Sequence, residues 1–210
     1  LSTMANYWAS VGNEIAIVTL APAREAPFYA LDPAIHYTAL DQTGPSASAL
    51  HAIERNWARA RAVRRAIRAA QPDALISFID EMNLLVLISA FGLGIPAIVS
   101  ERNNPRHHRM GRVRELLRRV LYRRAARVVV QTEDVTSFFS APIRARTRVI
   151  PNPVRSPLSG RRAALARREQ HTLVAFGRLV EQKGFDVLLR AFARVAPQHP
   201  GWRLTIWGAG

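Results

Sequence analysis

The chain has no cysteine and a single lysine, Lys183, among its 210 residues. The first absence excludes disulfide bridges and thiolate metal ligation, and it accords with a reducing compartment. The second is an imbalance of kind: 29 of the 30 basic residues are arginine, and only 15 acidic residues oppose them, leaving a formal charge of +15. Such a charge attracts polyanions without choosing among nucleic acid, anionic lipid headgroups and the phosphates of nucleotides. An apolar run long enough to span a membrane is also missing. The longest uncharged stretch lies between Glu81 and Glu101, carries Gly92, Gly94 and Pro96, and divides better into a buried helix and a buried strand. The six histidines lack ligand spacing, and adjacent His107 and His108 diverge on any regular element, so no metal site is expected. There is no nucleophile elbow or P-loop, and none of the zinc-finger, RNP or helix-turn-helix patterns that would support specific nucleic-acid binding.

What is present alternates. Short runs rich in β-branched residues at Ile15 to Leu20, Ala74 to Ile79, Ala97 to Ser100, Arg127 to Val130, Arg148 to Ile150, Leu173 to Phe176 and Leu204 to Trp207 read as buried strands. Between them, apolar residues recur at steps of three and four: Leu50, Ile53, Trp57, Ala60, Val63 and Ile67 within 48–70, then Val113, Leu116, Leu117, Val120 and Leu121 within 111–124. A third stripe, Phe185, Leu188, Leu189, Phe192 and Val195, lies within 185–195. Strand and helix in turn predict an α/β fold with parallel sheets. Pro151, Pro153, Pro157 and Gly160, followed by an arginine-rich run, mark a linker between two such patterns. The expected domains are therefore 1–150, a linker over 151–171, and 172–210. Leu1 to Val11 lacks a basic n-region and a cleavage site, and reads as the closing turns of a helix rather than a leader. A strand is expected before it, and more of the second domain after Gly210.

The strongest local signal is Leu173 to Ala193, where an apolar strand ends in Gly177-Arg178-Leu179-Val180-Glu181-Gln182-Lys183-Gly184 and a helix begins. Ligands bind α/β proteins at the carboxyl ends of parallel strands. A helix starting at Gly184 or Phe185 turns free backbone N–H groups toward that loop. Arg178 supplies a planar fork for phosphate oxygens, and Lys183 a compact point charge. By spacing alone the pair reads equally well as solvated loop charges. A lone lysine at this junction, in a chain that uses arginine everywhere else, favours a requirement for ammonium.

Val149-Ile150-Pro151-Asn152-Pro153-Val154, followed after a variable linker by Phe176-Gly177-Arg178-Leu179 and Lys183-Gly184, resembles the inter-domain junction of GT-B glycosyltransferases of family 4. Ile98-Val99-Ser100-Glu101-Arg102-Asn103-Asn104-Pro105 resembles the subgroup that builds bacterial surface polysaccharides and lipid-linked sugars. Ser77-Phe78-Ile79 with Asn83, and Val129-Val130-Gln131-Thr132, fit the same pattern. The resemblance runs over nearly the whole chain.

It implies a transferase with two Rossmann-like domains, acceptor in the first and donor mainly in the second. It also implies retention of configuration, no metal and no cofactor, the nucleotide-sugar (UDP- or GDP-linked) being a co-substrate. Arg178 and Lys183 would contact the donor diphosphate, Gly177 and Gly184 would permit its approach, and Asn152 would sit at the hinge side of the cleft. The resemblance assigns no catalytic side chain. The family's amino-terminal glycine loop and its glutamate pair match nothing in these 210 residues, which leaves a non-functional fragment as one alternative.

Glu101, Arg102 and Asn103 follow a buried strand and are expected to face acceptor or donor; solvated charges around an Asx turn before Pro105 are the alternative. Asp80 is expected to cap the helix that follows it. Ten arginines fall within 102–127 and eight within 144–168. The first group includes an amphipathic helix suited to anionic lipid, which with the subgroup's polyprenyl-linked or saccharide acceptors suggests a cytoplasmic protein peripheral on the inner membrane face. A basic nucleic-acid-binding protein is the competing reading, supported by charge alone.

Overall fold

The computed structural model describes residues 1–44, 49–108, 110–153 and 171–209. Most of the expected linker, from 154 to 170, therefore lies outside the described residues. The chain divides into two compact units, Leu1–Pro153 and Val154–Gly210.

In the first unit the order is α1 (Ser2–Ser10), β1 (Ala16–Thr19), β2 (His36–Ala39), α2 (Ala49–Ala70), β3 (Leu75–Phe78), α3 (Asp80–Ser89) and β4 (Ala97–Ser100). There follow α4 (Arg112–Leu121), which continues as a 3-10 turn through Arg124, then β5 (Arg127–Val130), α5 (Glu133–Thr136), α6 (Ala141–Arg144) and β6 (Thr147–Val149). β3-β4-β5-β6 form one parallel sheet, and β1-β2 a second parallel pair. Parallel neighbours require a crossover, and the helices between strands supply it. The main core is the Val-rich centre of the larger sheet, Val99, Val128 and Val130, with Leu84 and Leu87 of α3, Leu121, Tyr122, Phe139 and Ile143 against it. Val63 and Ile67 of α2 pack with Ala90, Leu20, Leu40 and Leu75, tying the two sheets together. All four strands of the larger sheet thus end on one edge, which carries the loops after Phe78, Ser100, Val130 and Val149.

The α/β class with parallel sheets agrees with the expectation, and three details correct it. β2 was not anticipated, because His-Tyr-Thr-Ala is half exposed and has no apolar run. Asp80 does not cap α3; it is the first helical residue, and the chain turns one position earlier, at Ile79. Ile79 has φ 74° and ψ 138°, a sparsely populated region that costs a residue other than glycine on the order of 1–3 kcal/mol. It is held by Ile79 N–H to the Ser100 carbonyl at 3.1 Å and Asn83 N–H to the Ile79 carbonyl at 2.8 Å. In α4 the apolar stripe does not face the core. Val113, Leu116, Leu117 and Val120 are exposed, and the buried side chains are Leu121 and Arg118.

The described residues of the second unit form a β-α-β unit: β7 (His171–Phe176), a 3-10 turn at Glu181–Lys183, α7 (Phe185–Val195) and β8 (Trp202–Trp207). β7 and β8 are parallel in register from His171 against Trp202 to Phe176 against Trp207, and the His171 ring stacks on Trp202 at 5.0 Å. No helix among the described residues is long and apolar enough to cross a membrane.

Candidate functional site

Each unit presents residues of interest at its strand ends. In the first, the loop after β4 divides its three candidates. Glu101 turns inward and is 2 % exposed. Its carboxylate accepts the Tyr122 O–H at 2.6 Å, and the Arg118 guanidinium lies 3.8 Å away. The network continues through Asn83, whose Nδ2 donates to the Tyr122 oxygen at 3.0 Å and to the Ser100 carbonyl at 3.1 Å. Asn83 Oδ1 in turn accepts the Ser77 hydroxyl at 2.7 Å. Arg118 also binds Glu115 and lies 4.7 Å over the Phe138 ring. Glu101 therefore meets α4 with its carboxylate while lining the floor of a cavity.

That cavity, of about 220 Å³, is bounded by Glu101, Asn103, Asn104, Gln131, Thr132 and Val135, at the ends of β4 and β5. Asn104 forms the Asx turn, its Oδ1 accepting the Arg106 N–H at 3.0 Å. Arg102 takes another direction. Its guanidinium hydrogen-bonds the Asn152 side-chain oxygen and stands 5.7 Å over the Phe78 ring. Arg102 and Asn152 are thus brought together from the ends of β4 and β6, and Asn103 stays on the cavity wall.

Burial is the main force on the Glu101 carboxyl and pushes its pKa above the ordinary value of 4.5, with Tyr122 and Arg118 working against that rise. Burial first, and Glu101 second, raise Tyr122 as well, so its hydroxyl remains a donor. A carboxyl whose folded pKa is raised binds its proton more tightly folded than unfolded, so its contribution is complete below about pH 4.5 and is lost as pH rises through the folded value. Glu101→Gln removes that titration and keeps an acceptor for Tyr122. Urea midpoints measured at pH 4 and pH 7 are expected to show wild type losing ground to the variant as pH rises. An unchanged difference would mean that folding does not raise the Glu101 pKa.

In the second unit, β7 ends at Gly177 and the loop folds back over Lys183. A Cβ built on Gly177 would meet the Phe185 ring at 3.2 Å and the Cγ and Cδ of Lys183 at 3.6 Å, so the lysine stem crosses the glycine face and α7 begins beside it. Gly184 occupies the cap of α7 at φ 64°, ψ 27°, a left-handed conformation suited to glycine, and no side chain caps the first turn. The free N–H groups of that turn and the stem of Lys183 therefore lie at one strand end. Arg178 and Lys183 are both exposed, and their side chains make no hydrogen bond or ion pair among the described residues. The loop is fixed to the end of β8: Gly177 N–H donates to Trp207 O at 3.0 Å, and Leu179 N–H to Ala209 O at 3.0 Å.

Sequence reasoning missed Gly208 and Arg118. A Cβ on Gly208 would land on the Gly177 carbonyl oxygen, so glycine there is what lets β8 approach the loop. The only signal was the Gly208-Ala209-Gly210 turn itself. For Arg118 the available signal was Glu115, three residues earlier on the same helix. Among the described residues no cluster of His, Asp and Glu could hold a metal ion.

Residues 1–156 match the profile of Glycosyltransferase Family 4. An α-1,4-N-acetyl-D-galactosaminyltransferase of Campylobacter jejuni, named for an acceptor on undecaprenol pyrophosphate, is 30% identical over 126 residues. The match covers 54% of this chain and 34% of that protein. An uncharacterized glycosyltransferase of Haemophilus influenzae is 23% identical over 209 residues, 99% of this chain and 56% of its own length. Among solved structures, sucrose-phosphate synthase of Thermosynechococcus elongatus aligns with a TM-score of 0.74 at 16% identity, over 98% of this chain and 55% of that one. This likeness shows the fold, α/β units with parallel sheets of the GT-B type. The chain spans between about a third and just over half the length of these relatives. With its larger unit matched throughout, the chain belongs to glycosyltransferase family 4.

Proposed function

We propose that the protein moves a sugar from a nucleoside-diphosphate donor, UDP- or GDP-linked, to a saccharide or polyprenyl-linked acceptor, with retention and without a metal ion. In this reading residues 1–150 serve the acceptor, 151–171 link, and 172–210 begin the donor-binding domain. The observation that carries it is the meeting of Gly177, the Lys183 stem and the uncapped start of α7 at one strand end. Breaking the bond between sugar and phosphate builds negative charge on the leaving diphosphate, and fixed cations there lower the barrier. Lys183, Arg178 and the N–H groups following Gly184 take that role, with Gly177 keeping the approach open. The first unit contributes Arg102, held by Asn152, and the cavity walled by Asn103. Glu101, its carboxylate committed to Tyr122 and Arg118, positions the loop that carries them.

The relatives' family and the Campylobacter enzyme's undecaprenol-linked acceptor support a cytoplasmic protein in peripheral contact with the inner face of an anionic membrane. A nucleic-acid-binding role is not favoured, since only charge speaks for it. Calorimetric titration with UDP and GDP in the presence of a chelator tests the proposal. One of the two nucleotides is expected to bind, and Lys183→Ala to weaken it about 10- to 100-fold, as loss of a charge-assisted phosphate contact implies. Salt-sensitive binding to duplex DNA without nucleotide binding would overturn it.

A further inference from the structure

α4 reverses the usual arrangement of an amphipathic helix. It buries a guanidinium, Arg118, and leaves Val113, Leu116, Leu117 and Val120 in water, with Val113 72 % and Leu116 62 % exposed. At helical spacing these four fill a stripe about 100° wide. Arg112 and Arg119 run along one border of the stripe, and Arg123 follows in the 3-10 turn. All three are exposed, and none has an ion pair among the described residues. Beside them a shallow depression of about 370 Å³ is lined by Gly111, Arg112, Glu115, Leu116 and Arg119.

Contiguous apolar surface rimmed by charge marks an interaction site. From the stripe and its arginine border we infer that α4 is the element that seats this protein on an anionic lipid bilayer. Val113, Leu116, Leu117 and Val120 enter the acyl boundary, and Arg112, Arg119 and Arg123 meet lipid phosphates. The inference deepens the peripheral membrane contact proposed above and rests on it. Charge complementarity selects the occupant. A second copy packed on this face in two-fold symmetry would bring like-charged rows near each other. A nucleic-acid backbone would satisfy the arginines and leave the apolar stripe in water. An anionic bilayer offers phosphates and hydrocarbon at the spacing of an interfacial helix. Burying Arg118 belongs to the same design, because Glu101, at the end of β4, holds the helix by its polar side and frees the apolar one.

Co-sedimentation with vesicles tests it, comparing pure phosphatidylcholine with a mixture holding about a third phosphatidylglycerol. The chain is expected to partition onto the anionic vesicles and not onto the neutral ones. Val113→Ser with Leu116→Ser should weaken partitioning at least about tenfold, while unchanged thermal melting shows that the fold is kept. Arg112→Gln, Arg119→Gln and Arg123→Gln together should weaken it about fivefold per arginine. Wild-type partitioning by the Ser pair would overturn α4 as the docking element and leave peripheral contact standing. Failure to bind either vesicle would overturn both, without touching the nucleotide reading, which titration scores separately. Self-association abolished by the Ser pair, or DNA binding abolished by the Gln set alone, would assign the face to a second copy or to a polyanion and overturn the inference.

Discussion

Arg118→Ala is expected to destabilise the first unit by about 3–5 kcal/mol, the range for removing one partner of a buried ion pair. The arginine side chain is fully enclosed, with its guanidinium between Glu101 and Glu115 and over the Phe138 ring. Removing it leaves two carboxylates facing each other around a cavity, one of them wholly buried. The loss is more than packing, because the carboxylates keep their desolvation cost and lose the cation that offsets it. Arg118→Met, which refills much of the volume, should recover part of the stability, and more at pH 4, where Glu101 holds its proton, than at pH 7. Equilibrium urea unfolding measures both variants. A change for Arg118→Ala within about 0.5 kcal/mol, as for an ordinary surface arginine, would refute its place in the network.

Gly208→Ala is the second large effect. The added methyl meets the Gly177 carbonyl, a backbone atom held by the β7–β8 ladder and by the Leu179-to-Ala209 bond, so no side chain can swing aside. Overpacking of this kind costs typically 1–3 kcal/mol, and here the backbone that must move is the loop carrying Arg178 and Lys183. Faster hydrogen exchange at the Gly177 and Leu179 amides is expected, with nucleotide affinity down at least about tenfold. Gly201→Ala supplies the control. Nothing lies within 4 Å of its added Cβ, so exchange and affinity should stay near wild type. Equal behaviour of the two variants would show that the close approach at Gly208 does not shape the loop.

Which parts were legible in the amino-acid pattern follows from what pattern reports. β4 and β5 were readable because strands covered on both faces become uninterrupted Val and Ile runs, and β2 was not because its alternate residues face water. Periodicity located α4 but not its orientation, since a 3.6-residue stripe states that one face is apolar without stating which face meets the protein. That choice was made by buried Glu101, beside which Arg118 is enclosed. At the candidate sites, Arg102 and Asn152 were each singled out, yet their pairing across 50 positions needed the sheet order, which sets the ends of β4 and β6 on either side of β5 along one edge. Gly177, Lys183 and Gly184 were legible because strand, loop and helix follow one another in the chain. Gly208 was hidden because its reason is a contact between two strand ends.

Lys183, the one lysine, carries the central claim that this strand end receives a diphosphate. The most direct test compares calorimetric affinities for the nucleoside diphosphate that binds and for the matching monophosphate, in wild type and in Lys183→Ala. The account predicts that wild type prefers the diphosphate and that the variant loses most of that preference while its affinity for the monophosphate changes little. A preference that survives in Lys183→Ala would contradict it.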